Sequence, residues 1–149
     1  MSLDVQALVK KYSLEKVGET ANSAYYALPD GVLVTIPFEG STDNKVSATE
    51  NRDFQNAYYR SRGEKGGIVI FFDRMKSQDK DARKIYETVE MLTCTAMVGG
   101  TLLTRAMFSF FLGISRPTMP IKLFGDFAAA LDWVRATQAA AGRNIAAGE

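Results

Sequence analysis

Three aspartates, Asp73, Asp79 and Asp81, stand close together just after an apolar run. Converging carboxylates can hold a divalent cation or share a proton. The same residues suit a plainer role, in which Asp73 ends a strand while Asp79 and Asp81 cap a helix and meet its dipole. Lys76, Lys80, Arg83 and Lys84 beside them would then complete a solvated ion-pair surface. A second group is Gly99-Gly100-Thr101, with Thr104 and Arg105 one turn on. That pattern reads as a strand-to-helix turn whose free N–H groups and nearby cation can hold a phosphate or carboxylate. It lacks the spacing and the lysine of a nucleotide P-loop, and it also suits a tight turn capped by threonine. Cys94 is the one cysteine, and the chain contains no histidine. Triads with a histidine base, the usual zinc sites and the commonest general base near neutral pH are therefore excluded. Cys94, with no base to activate it, reads as a small core residue.

The segment 102–112 carries apolar residues around nearly the whole of a helix. A helix lying on a sheet needs only one apolar face, so the surplus at Phe108, Phe110, Phe111 and Leu112 predicts a subunit contact or an adjoining apolar pocket. Packing against the N-terminal or C-terminal helix of the same chain is the alternative. A homodimer is the expected partner, because a two-fold contact uses each such residue twice. The segment has a single arginine and no basic face, which disfavours a membrane surface.

These residues need elements to position them. Residues 4–13 predict a weak amphipathic helix. The β-like runs 24–28 and 32–38 flank Pro29-Asp30-Gly31, whose proline presets φ and whose glycine accepts a positive φ, so they form a hairpin. Ser47, with Glu50 three residues on, predicts the N-cap of a helix reaching about Arg62. The run Ile68-Val69-Ile70-Phe71-Phe72 reads as a strand covered on both faces, hence the centre of an α/β sheet flanked by 94–98 and 32–38. Asp79 opens a helix whose apolar positions extend to Leu92, Gly99-Gly100 opens the apolar helix, 121–124 is a last strand, and Asp126 caps a final helix to about Gly142. Alternation of this kind predicts a mixed, mostly parallel sheet with an antiparallel edge hairpin.

At 149 residues, 46% hydrophobic and 23% charged, the chain has the size and composition of one ordinary globular domain. A net charge of +1 supplies no field to gather nucleic acid. The start shows no basic segment followed by an apolar run, and no stretch is long enough to span a bilayer, so neither a signal peptide nor integral membrane association is expected. The lone cysteine suits a reducing compartment and predicts a cytoplasmic protein. No cofactor or metal is predicted.

The blocks Met97-Val98-Gly99-Gly100 through Arg105, Phe110-Phe111-Leu112-Gly113, Arg116-Pro117, Pro120-Ile121-Lys122-Leu123-Phe124 and Ala130-Leu131-Asp132-Trp133-Val134 resemble bacterial STAS-like proteins. Tyr25-Tyr26, Asp30-Gly31-Val32 and Asp73-Arg74 match as well, so the resemblance covers roughly 24–136. It implies an α/β, STAS-like domain at 24–142, with a helical extension at 1–23 and a tail at 143–149. The wider fold family includes anti-sigma-factor antagonists, in which a serine opening the helix after the central strand is phosphorylated by a partner kinase. Here that region holds Ser77, Asp79 and Asp81, with Asp and Lys where the antagonists carry Ser-Ser-Gly or Ser-Thr-Gly. The expected function is a non-catalytic binding or regulatory domain, homodimeric, taking a small anionic or apolar ligand or a regulatory protein partner. A phosphoswitch partner of a kinase and a carboxylate-based enzyme are the alternatives.

Overall fold

The structure is a computed structural model that describes residues 3–102, 104–106, 108–109 and 119–141. Its elements run in the order α1 (Val5–Tyr12), β1 (Glu15–Glu19), β2 (Ser23–Ala27), β3 (Leu33–Pro37), β4 (Ser41–Asp43), α2 (Lys45–Arg62), β5 (Gly66–Phe71), a 3₁₀ turn (Phe72–Arg74), β6 (Met75–Gln78), α3 (Lys80–Tyr86), β7 (Leu92–Val98), β8 (Ile121–Phe124) and α4 (Phe127–Ala140). Between β7 and β8, Leu102, Thr104–Ala106, Phe108 and Ser109 are helical.

Six strands form one sheet in the order β1-β2-β3-β5-β7-β8. β1, β2 and β3 are antiparallel neighbours, whereas β3, β5, β7 and β8 run parallel. The apolar run at 68–72 thus supplies the interior strand β5, between β3 and β7, as its continuous burial requires. The α/β class, the parallel majority and the antiparallel edge all agree with the sequence reading.

Three local expectations are corrected. The outermost strand is β1, which lies inside the segment expected to be helix and extension only. It pairs with β2 through a bulge between Lys16 and Gly18, and a side chain at Gly18 would collide with the Phe54 ring. The N-cap of α2 is Asn44 rather than Ser47: Asn44 accepts from Ser47 N, and Ser47 Oγ accepts from Asn44 N, a reciprocal capping box. The helix opened by Asp79 ends at Tyr86, and Leu92 already belongs to β7. The intervening turn is held because Asn56 Oδ1 accepts from both Glu90 N and Met91 N at 3.0 Å.

The faces of the sheet are covered differently. On one, Val34, Ile36, Val69, Phe71, Ala96 and Val98 meet α1 and the Phe127, Ala130, Leu131, Val134 stripe of α4. Gly67 lets α4 approach, since a Cβ there would strike Val134. On the other face, Tyr25, Leu33 and Ile68 meet Tyr59 of α2 and the segment after α3. Beyond the ends of β3 and β5, β4 and β6 pair in parallel as a second, two-stranded sheet with Asp43 opposite Gln78.

Candidate functional site

The aspartates do not converge. Asp79 accepts from Ala82 N at 2.8 Å as the N-cap of α3, and Asp81 is exposed in its first turn. Asp73 sits apart, on the 3₁₀ turn after β5, and reaches the turn after β7. Its carboxylate accepts from Gly100 N at 3.1 Å, Thr101 N at 3.4 Å, Thr101 Oγ1 at 3.2 Å and Thr104 Oγ1 at 2.7 Å. The donors expected to hold an external anion are thus engaged by the protein's own carboxylate. Gly99 makes the approach feasible, because a Cβ there would lie 2.6 Å from Asp73 Oδ1. Burial acts to raise the Asp73 carboxyl, but the hydrogen bonds from Thr104, Gly100 and Thr101 outweigh it and hold it below the usual carboxylate range. Arg105 is exposed on the following turn. An open groove of about 660 Å³ lies beside this turn, between Phe71, Arg74, Val98 and Phe127.

Ser77 is exposed in β6, paired with Thr42 of β4, so it lies in a strand and not at a helix N-terminus. Cys94 is buried in β7, and burial pushes its thiol up, away from the thiolate that nucleophilic chemistry needs. Phe108 is half-buried against Phe72, Met75 and Met97. Phe110, Phe111 and Leu112 lie outside the described residues. Leu102, at the start of the apolar segment, is 84% exposed. Among the described residues, no group of three or more His, Cys, Asp or Glu gathers as a metal-binding set.

The densest polar chemistry lies elsewhere, under α2. Asp43 is only 2% exposed. Its Oδ1 accepts from Ser47 Oγ at 2.5 Å and Asn22 Nδ2 at 3.3 Å, and its Oδ2 accepts from Tyr86 OH at 2.8 Å and Gln78 Nε2 at 3.1 Å. Those donors come from the β1–β2 connection, α2, α3 and β6, so one buried carboxylate ties four regions together. The network continues through Asn51, whose Nδ2 donates to Tyr86 OH and Asn22 Oδ1, and whose Oδ1 accepts from Tyr25 OH at 2.8 Å and Thr20 Oγ1 at 2.7 Å. Gln55 Nε2 then donates to Tyr25 OH at 3.0 Å. Burial raises the phenols of Tyr25 and Tyr86 above the ordinary value, and the nearby Asp43 charge adds to it. Both therefore stay protonated and act as donors.

This network walls a cavity of about 70 Å³ against the sheet. The floor is one cross-strand row, Tyr25–Thr35–Ile70–Met97, set by the register of β2, β3, β5 and β7. Phe72, Met75 and Met119 extend the apolar side. Thr35 is 4% exposed, and its Oγ1 makes no hydrogen bond of good geometry, although it lies close enough to Tyr25 to interact with that hydroxyl. Sequence reading missed this site. Its signal was the stripe Ser47, Asn51, Gln55 and Tyr59, spaced four apart on α2 and buried throughout.

The family model described as "Domain of unknown function (DUF7793)" matches residues 55–138, more than half of the chain. The chain belongs to the DUF7793 family. In this DUF7793 protein the matched region contains Asp73 and the turn it holds, whereas Tyr25, Thr35, Asp43 and Asn51 precede it. No curated protein matches the chain. It is similar to a crystal structure of an uncharacterized protein from the DUF3478 family, with a SpoIIAA-like fold, from Shewanella loihica PV-4. The identity is 12%, the TM-score is 0.48, and the match covers 81% of this chain and 91% of that one.

Proposed function

We propose that the domain acts by binding rather than by making or breaking bonds, and that the cavity between α2 and the sheet is where a small molecule is recognised. One observation carries this reading: Asp43 at the cavity and Asp73 at the groove are each held by the protein's own neutral donors. Asp43 accepts four side-chain hydrogen bonds, and Asp73 accepts from the Gly100–Thr104 turn. A carboxylate fixed in this way is a poor general base or nucleophile, since donors already occupy most of its lone pairs. That weighs against a carboxylate-based enzyme. It also turns the anion expectation at Gly99, Gly100, Thr101, Thr104 and Arg105 toward a ligand of lower charge.

Self-association belongs to the same reading and is supported by Leu102, whose exposed side chain opens the apolar segment. A phosphoswitch at Ser77 finds less support, because a strand residue offers a phosphate no helix N-terminus to order. Native mass spectrometry of the freshly purified protein tests the proposal. A noncovalent small-molecule adduct, released on activation, is the expected result. Turnover of a substrate panel that is lost in Asp43→Asn or Asp73→Asn would contradict it.

A further inference from the structure

Building on the binding reading, we infer that the cavity under α2 takes a small neutral ligand with a hydroxyl group and an apolar, preferably aromatic, body. Thr35 sets the polar end. Thr35 lies on the cavity floor, and its buried hydroxyl, beside that of Tyr25, makes no hydrogen bond of good geometry. An unsatisfied buried polar group is uncommon in a native fold and calls for a partner. A ligand hydroxyl, which both donates and accepts, complements it.

Charge fixes the rest of the class. Among the described residues, no Lys or Arg lines the cavity, and its wall includes the Asp43 carboxylate, so an anion meets repulsion without compensation. A cation fares no better, because both Asp43 oxygens already accept two hydrogen bonds each and have no lone pair to spare for an ammonium group. Opposite this polar wall, Ile70, Phe72, Met75, Met97 and Met119 present an apolar surface. Thioethers contact ring edges favourably and adapt to an irregular guest. A single water needs about 10–15 Å³ of such space, so the volume admits several waters' worth, the size of a few heavy atoms or a single ring.

Phenol and benzene are the probes, titrated calorimetrically into the full chain. Wild type is expected to bind phenol more tightly than benzene. Thr35→Val, which keeps the shape and removes the hydroxyl, should weaken phenol about three- to tenfold, the range of one hydrogen bond, while leaving benzene unchanged. Ile70→Phe, which fills the floor, should abolish both, and circular dichroism confirms that each variant is folded. The assignment is overturned if phenol does not bind wild type, if it binds Thr35→Val equally well, or if Ile70→Phe retains it. Should phenol fail while native mass spectrometry still finds an adduct, the cavity assignment falls and the binding reading stands. If neither is seen, both fall.

Discussion

The two faces of the central sheet solve the same packing problem with opposite chemistry. Toward α1 and α4 the sheet presents Val34, Ile36, Val69, Phe71, Ala96 and Val98, and the helices answer with alanine, leucine, valine and phenylalanine. Phe71 stacks on Phe127 at 5.5 Å between ring centroids, and Tyr12 meets Phe127 edge-on at 4.7 Å. The opposite face sets Tyr25 and Thr35 beside Leu33, Ile68 and Ile70, beneath a helix whose buried stripe is mostly polar. Apolar packing is insensitive to direction, whereas a buried polar network holds only if each member finds its partner. The first face therefore suits a role in stability. The second spends some of its packing on directional groups, and it is the face that contains the cavity.

The largest expected contrast comes from truncating one anchor on the apolar face. Phe71→Ala removes a ring that packs against α4 and should destabilise the fold by about 3–5 kcal/mol in urea unfolding. On the polar face, Asp43→Ala leaves the buried donors of Tyr86, Gln78, Ser47 and Asn22 without their acceptor. A loss of about 2–3 kcal/mol is expected, together with faster amide exchange in β4 and β6. If Asp43→Ala is neutral, the network is not holding those strands and the comparison fails.

Asp73 should have a smaller effect with a definite pH signature. Its folded carboxyl titrates below the unfolded value of about 3.9, so its contribution is full above that pH and disappears as the pH falls through the folded value. Exposure to solvent keeps the contribution below about 1 kcal/mol. Asp73→Asn should therefore destabilise slightly at pH 7, with Gly100 and Thr101 amides exchanging faster there, and become indistinguishable from wild type in acid. Smallest of all is Thr35→Val, which removes a buried hydroxyl that makes no hydrogen bond of good geometry. Its stability should be unchanged or raised by up to about 1 kcal/mol, a result that would sharpen the contrast with Asp43.

What the sequence made legible was local or continuous. The run at 68–72 reads as a covered strand, Pro29-Asp30-Gly31 as a hairpin turn, and Asp79 and Asp126 as caps, because each signal lies within a few residues of what it determines. β1 was hidden because its Lys and Glu residues face solvent at the sheet edge, and its inward contacts are made by Val17 alone and by a glycine under Phe54. Both halves of the Asp73 contact were visible, as a strand-ending carboxylate and as a turn rich in donors. Nothing in their spacing said that the parallel register of β5 and β7 would bring them together. The cavity was least legible. Tyr25, Thr35, Asp43, Asn51 and Tyr86 come from five elements, and a polar stripe on a polar helix resembles a solvent face until the sheet covers it.

In the proposed binding mode the polar face of the sheet, and not the apolar one, receives the ligand. A ¹H–¹⁵N correlation spectrum of the full chain, recorded with and without saturating phenol, compares them directly. Shifts concentrated at Tyr25, Thr35, Ile70 and Met97, with Val34, Val69 and Ala96 in the same strands little moved, is the expected result. Shifts centred on Val69, Ala96 and the α4 stripe, or an unchanged spectrum, would contradict it.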